Sequence, residues 1–267
     1  HGVGLLAQDV GELAAEGAKL IWSPRTNITL YGDTARVTEY ARIGVRIGLG
    51  TDWLATGSMN MLRELHCADG FNQNFLSGFF PDEQLWLMAT RNTAEALGFG
   101  ESIGTLSAGR LADIAIFDAS MRRDHRAVLG AGPNDVVLVM RGGEVLYGDS
   151  ALVDSLATGC DEVGDVCGGT MRACLGGIST TFSALRAENT ERYPLFYCTE
   201  PDFEPSCLPA RNGMGGATPD AMVSGSNYYT GMSSADDMDG DGIANASDNC
   251  ASIFNPIRPL DNGAQAD

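Results

Sequence analysis

The sequence is poor in positive charge and in histidine. Its 267 residues hold 17 Lys and Arg against 35 Asp and Glu, a formal net charge of −18, and Lys19 is the single lysine. So acidic a surface repels phosphate backbones and anionic membranes, which argues against nucleic-acid binding. The three histidines are His1, His66 and His125, too few and too scattered for an His-x-His metal pair. No apolar run reaches the roughly 18 residues of a membrane-spanning helix, and the opening residues carry no signal-peptide pattern. There is no phosphate loop and no G-x-S-x-G. Gly2-Val3-Gly4-Leu5-Leu6-Ala7 fits a dinucleotide fingerprint only superficially, since no strand pattern leads into it.

What is present divides in two. Residues 1–150 carry 12 basic and 18 acidic residues, and the remainder 5 and 17. Six of the seven cysteines also follow residue 150, with Cys67 the exception. Two kinds of protein are therefore expected to join near residue 150. Hydrophobic residues make up 44%, enough for a packed core.

The first hundred residues alternate helical and strand patterns. Val10, Leu13, Ala14 and Gly17 follow helical spacing, Ala18–Trp22 suits a buried strand, and Ser23-Pro24-Arg25-Thr26-Asn27 reads as a turn. Val37, Tyr40, Ala41 and Gly44 repeat the helical spacing. Val45, Ile47 and Leu49 then alternate with Arg46, Gly48 and Gly50 as a strand ending in Thr51-Asp52. Met61, Leu65 and Ala68 mark a further helix, and Pro81-Asp82-Glu83 starts another that runs to Gly98. Alternation of this kind predicts a parallel sheet with covering helices, doubly wound or a barrel. From about residue 103 the texture turns to β, with Asp113–Asp118, Val136–Met140 and a hairpin at Arg141–Glu144 returning through Val145–Tyr147.

His1-Gly2, SPRTN at 23–27, GVRIGLGTDW at 44–53, ATRNTAEALGF at 89–99, GTLSAGRLADIAIFD at 104–118 and VMRGGEVLYG at 139–148 resemble, in this order, the C-terminal half of the amidohydrolase superfamily. The nearest branch is that of triazine hydrolases and cytosine deaminases. The resemblance covers residues 1–150. It implies an α/β fold, the C-terminal part of a metal-dependent (β/α)₈ barrel with a small β-sandwich piece, then an irregular Cys-bearing, calcium-binding tail. Residues 1–102 would be the partial barrel (strands 6–8), with His1 closing strand 6, Ala18–Trp22 forming strand 7 and Asp52 ending strand 8. Residues 103–150 would be the C-terminal strands of a composite β-sandwich, and 151–235 a Gly- and Cys-containing linker.

The resemblance also implies roles. Asp52, at the C-terminal end of its strand, is a candidate metal ligand and proton acceptor. His1 matches a histidine that orients the attacking water in one-metal members and ligates in two-metal members. Both are thus candidate catalytic and metal residues. Arg25, Asn27 and Trp53 are candidate substrate contacts, set against turn and packing roles. His66 reads as a satisfied helix histidine and His125 as a solvated one. The cofactor would be Zn²⁺, or Fe²⁺ or Mn²⁺, in the complete barrel, but a catalytic zinc takes three protein ligands and this chain offers two. The family's first-strand His-x-His, its strand-4 Lys or Glu and its strand-5 His are absent. The expectation is a chain that starts at strand 6, partners a missing N-terminal half of the barrel and is inactive alone. The implied reaction is hydrolysis of a non-peptide C–N bond in a cyclic amide, amidine or heterocycle by metal-activated hydroxide. A small molecule is the substrate, and homo-oligomer formation is left open.

The acidic end carries its own pattern. Cys160, Cys167 and Cys174 are spaced by seven, without Cys-x-x-Cys or a nearby His. Disulfides of undetermined pairing in an oxidising compartment are expected, against buried thiols as the alternative. Asp237, Asp239, Asp241, Gly242 and Asp248 fit calcium-loop spacing, with the Ile243 carbonyl as a further ligand and Asp in place of Glu at the closing position. Residues 236–267 resemble a thrombospondin type 3 repeat, which implies Ca²⁺ binding, an unpaired Cys250 and a secreted, periplasmic or cell-surface location. The alternative to an enzyme is an extracellular calcium-binding adhesion or display protein with a degenerate, non-catalytic barrel.

Overall fold

A computed structural model describes residues 1–189, 193, 195–201, 203–209, 234–239 and 242–252. They fall into two compact units. One joins His1–Ala96 with the described residues from Phe203 on, and the other holds those of Leu97–Asp202.

The first unit follows the helix–strand alternation. Helix α1 (Ala7–Ala15) leads to β1 (Lys19–Trp22), α2 (Pro24–Tyr31), α3 (Val37–Ile43) and β2 (Arg46–Leu49), then α4 (Met61–Phe75), α5 (Asp82–Ala89) and α6 (Arg91–Ala96). β1 and β2 pair in parallel, Leu20 opposite Ile47 and Trp22 opposite Leu49. These four residues are buried, with Val10, Ile28, Tyr40, Leu65, Phe71, Phe80 and Leu85 around them. The Trp22 ring meets Phe71 edge-on at 6.2 Å and lies 6.4 Å from Phe80.

One expectation differs from what is observed here. Residues 23–27 are not a turn but the start of α2, with Pro24 in its first turn, where a missing N–H costs nothing. His1 lies outside any strand; Gly2 turns the chain with φ +66°, and the Tyr40 hydroxyl donates to the Gly2 carbonyl at 2.8 Å. The parallel strands of this unit are two among the described residues, so the region is part of a barrel pattern and not a closed one.

The free edge of β2 is covered by polar side chains of α6. Asn92 Nδ2 donates to the Ile47 carbonyl at 2.9 Å, and Thr93 Oγ1 accepts from the Leu49 N–H at 3.1 Å. This approach needs glycine at position 48: a Cβ there would stand 2.6 Å from Thr93 Oγ1 and 3.1 Å from Thr93 Cα.

The second unit is one antiparallel sheet, ordered β3-β4-β5-β7-β6, from β3 (Ile114–Phe117), β4 (Val136–Arg141), β5 (Glu144–Asp149), β6 (Asp161–Val166) and β7 (Gly169–Ala173). Helix α7 (His125–Leu129) precedes β4, and α8 (Ser150–Leu156), capped by the Asp149 carboxylate on the Ala151 and Leu152 N–H groups, follows β5. The chain from residue 151, read as a linker, therefore continues the sheet, because β7 pairs with β5. Val163, Val166, Met171, Ala173 and Phe182 of α9 (Phe182–Asn189) form its core. The alternation was hidden by glycine: a register shift between Glu162 and Gly164 breaks the period, and Cys167-Gly168 closes the hairpin. Cys160–Cys174 and Cys167–Cys198 staple this unit, and Cys250 is free. A second sheet facing this one is not found among the described residues.

Substituting Gly48→Ala is expected to cost about 1–3 kcal/mol by overpacking β2 against α6. A urea midpoint unchanged from the parent would contradict that packing.

Candidate active site

Asp52 is set beyond the end of β2. The ladder runs one residue past the strand, Gly50 N–H to the Trp22 carbonyl at 2.9 Å, and the backbone then turns sharply. Asp52 has φ +56°, a left-handed conformation that costs an L-residue about 1–2 kcal/mol, though Asp tolerates it better than most. The following loop enforces it. Ser58 N–H returns to the Thr51 carbonyl at 3.3 Å, and Thr56 and Gly57 both donate to the Trp53 carbonyl, at 3.0 and 2.6 Å. Gly57 is required there, since a Cβ would stand 2.0 Å from the Thr51 carbonyl.

His1 and Asp52, placed together by the sequence reading, do meet. His1 Nε2 lies 3.2 Å from Asp52 Oδ2, with the two side chains 35% and 33% exposed, so both reach solvent. The other ring nitrogen is occupied from below: Asn27 Nδ2 is 2.7 Å from His1 Nδ1. Tyr31 stands edge-on to the imidazole at 6.1 Å. Beneath Asn27, Thr34 Oγ1 donates to Asn27 Oδ1 at 3.0 Å, and Trp22 Nε1 donates to Thr34 Oγ1 at 2.7 Å. Asn27 is fully buried. Its amide nitrogen is turned to His1, and none of the side chain reaches solvent.

Arg25, also a candidate contact, is engaged by the protein itself. Only 2% exposed, it bonds Ser58 Oγ through Nε at 2.7 Å, the Pro205 carbonyl through Nη1, and Glu204 Oε2 through Nη2 at 3.2 Å. Arg63 grips the same carboxylate, Nε to Oε1 at 3.0 Å and Nη2 to Oε2. Cys67 of α4 bonds to Cys207, which fastens this short stretch to the helix. Arg25 thus binds a strap of its own chain. Nothing in the local sequence announces this, because the partners lie far apart in the chain. Beneath the strap, Glu64 is fully buried and accepts from the Arg25 N–H at 3.3 Å. Burial pushes its carboxyl up to about 7; the Ser58 hydroxyl and Arg25 pull it down, and the Glu204 charge pushes it up.

Trp53, 58% exposed, and the exposed Leu54 adjoin Asp52 in sequence and leave apolar surface there. His66 lies on α4, 3.5 Å from Arg63 Nη1, and His125 opens α7. In the acidic end, the Gly242 N–H donates to Asp237 Oδ2 at 2.9 Å with Gly242 at φ +89°, and the Cys250 N–H donates to Asp248 Oδ1 at 2.8 Å. Asp239 is buried. Asp241 lies outside the described residues. Among those described, no three His, Cys, Asp or Glu side chains gather as a metal cage, either here or around Asp52.

The pair at Asp52 still fits part of a metal site. Two ligands on one tetrahedral zinc, each about 2.0–2.1 Å from it, stand about 3.3–3.4 Å apart, close to the 3.2 Å between His1 Nε2 and Asp52 Oδ2. The donor set supplies two positions of the three that such an ion needs from protein.

Residues 1–146 match the family model described as "Amidohydrolase family". A 5-methylthioadenosine/S-adenosylhomocysteine deaminase of Acetivibrio thermocellus is 31% identical over 161 residues, covering 58% of this chain and 35% of that protein. Its namesake from Syntrophobacter fumaroxidans is 34% identical, covering 47% and 29%. An atrazine chlorohydrolase structure from Arthrobacter aurescens TC1, complexed with zinc, aligns at 28% identity and a TM-score of 0.45, covering 55% and 35%. The chain spans about a third of the length of the curated relatives it matches.

Glu64 makes stability depend on pH. Its folded pKa, about 7, exceeds the ordinary 4.5, so the folded state holds the proton more tightly. Its contribution is complete below about pH 4.5, falls as pH rises toward 7 and stays lost above. Relative to Glu64→Gln, the parent is expected to lose stability on the order of 1–3 kcal/mol between pH 5 and 8. Parallel urea midpoints for the two proteins across that range would contradict the assignment.

Proposed function

The chain belongs to the amidohydrolase family, and on that premise we propose that it carries the His1–Asp52 corner of the active site of a metal-dependent hydrolase of non-peptide C–N bonds. The observation that carries the reading is the 3.2 Å approach of His1 Nε2 to Asp52 Oδ2 at the C-terminal end of β2, the end of a barrel strand where such enzymes place their chemistry. The substrate class it supports is an amino-substituted heterocycle related to the adenine ring, since several relatives at 30–34% identity are named as deaminases of adenosine derivatives.

Asp52 and His1 would hold or face a divalent ion, with zinc the leading choice. When bound, such an ion supplies Lewis-acid activation of water near neutral pH. Asp52 is then placed to take a proton from the attacking water and to return it to the departing amine. His1, with a proton on Nε2, donates to the attacking water or to negative charge developing on oxygen. Trp53 offers an aromatic face for the ring. Because this chain supplies two donors, the proposal is that turnover belongs to the whole barrel and that the 267 residues alone hydrolyse nothing.

Ammonia release from aminopurine nucleosides by the whole barrel enzyme should fall at least about a thousandfold in Asp52→Asn. Retained turnover in that variant would overturn the role of Asp52. Turnover with a full equivalent of tightly bound metal in the isolated chain would overturn the division between chain and barrel.

A second, separable proposal concerns the acidic end. The Asp237–Asp248 spacing and the Gly242 turn closing on Asp237 support a calcium loop of the thrombospondin type 3 kind, and the disulfides support an extracellular setting. Calorimetry should register calcium uptake that Asp237→Asn weakens. No heat at millimolar calcium would remove this reading, and with it the support for an adhesion role.

A further inference from the structure

We propose that Trp22, Thr34 and Asn27 are positioning residues that fix His1 as the tautomer protonated on Nε2. The assignment follows from counting donors. An indole N–H can only donate, so Thr34 Oγ1, 2.7 Å from Trp22 Nε1, accepts there. The Thr34 hydroxyl then has its own proton to give, and Asn27 Oδ1 receives it at 3.0 Å. In this arrangement the amide oxygen faces Thr34 and the amide nitrogen faces His1. The other end, Nδ2, is a donor and lies 2.7 Å from His1 Nδ1. Nδ1 must accept, so in the neutral ring the proton sits on Nε2, where Asp52 Oδ2 accepts it at 3.2 Å. Each step is consistent with the one before, and the first is set by a side chain that cannot reverse.

Burial makes the order rigid. Trp22, Thr34 and Asn27 are all excluded from solvent, so no water can replace a lost partner, and an unmet buried donor is costly. Rotating the Asn27 amide would make Thr34 accept twice, take Asn27 Oδ1 away from the Thr34 proton and turn the amide oxygen to Nδ1. The inference rests on the proposed role of His1 but not on turnover. The hydrogen-bonded state and the metal-ligated state of the pair are distinct: a ligand bond through Nε2 would require that proton to leave and the relay to reverse. A histidine in the wrong tautomer costs a serine-protease triad about four orders of magnitude in rate, which shows the leverage such a relay can have.

The test is nitrogen NMR on the metal-free 267-residue chain with labelled histidine, at a pH of about 8–9 where an ordinary imidazole is neutral. Three histidines are resolvable. His1 is expected as the Nε2–H form. Thr34→Val, of nearly the same shape, should give a mixture, Thr34→Ser should restore the parent signature, and Asn27→Asp, whose side chain can only accept, should convert His1 to the Nδ1–H form. Unshifted His66 and His125 signals certify that each variant is folded. A parent His1 protonated on Nδ1, or a tautomer indifferent to both Thr34→Val and Asn27→Asp, would overturn the relay. If the relay holds while the barrel enzyme releases no ammonia, the proposed reaction fails and the positioning role stands.

Discussion

An indole N–H buried in a hydrophobic core has to find an acceptor, and in this protein that requirement reaches the surface. Trp22 supplies the largest buried side chain of the first unit and packs on Phe71 and Phe80. Its ring belongs to the core, but its one polar atom does not fit there. Thr34 meets it, Asn27 meets Thr34, and His1 meets Asn27. The same residue that joins β1 to α4 by apolar contact thus also sets the hydrogen-bond direction at the candidate site. Core packing and site chemistry are here one problem, because a buried donor left unmet would cost more than most single contacts yield.

The strap from Phe203 to Pro209 obeys a related constraint with full charges. Arg25 and Glu204 are both buried, and neither would be tolerable alone. Arg63 and the Pro205 carbonyl complete their shells, and the Cys67–Cys207 bond keeps the strap in place. Glu64, below them, is the weak member. It has a backbone partner and a hydroxyl beside it, yet burial still favours its neutral form. A cluster built this way holds one geometry well at mildly acidic pH and less well in alkali. It also spends an arginine that a small anionic substrate could otherwise have met.

Some of this was legible in the sequence and some was not, for identifiable reasons. The strand that leads to Asp52 announces itself through Val45, Ile47 and Leu49, which alternate with Arg46 and two glycines. His1 and Asp52 were each candidates through the order of motifs, and the structure sets them 3.2 Å apart. What escaped were interactions whose partners are distant in the chain. Nothing near Arg25 hints at Glu204, and a polar Asn27 on a loop-like stretch looks the same whether it faces a ligand or a core. The β6–β7 hairpin escaped for a local reason, since Gly164 and Gly168-Gly169 interrupt the alternation that would have revealed it. The acidic end shows the converse: its spacing is clear in sequence, while Asp241 lies outside the described residues.

The Cys67–Cys207 bond has a topological meaning as well. It closes a covalent ring of 140 residues, and the whole span from Leu97 to Asp202, the second unit, lies on that ring. The unit is therefore a loop insertion with both roots in one body. A cut anywhere along it would open the chain without releasing either piece. Crosslinks that span about 100 residues remove some 4–5 kcal/mol of conformational freedom from the unfolded chain in the entropic account. In a protease-rich setting such a molecule would survive nicking as a single covalent species, and its cohesion would pass from the peptide backbone to reducible bonds.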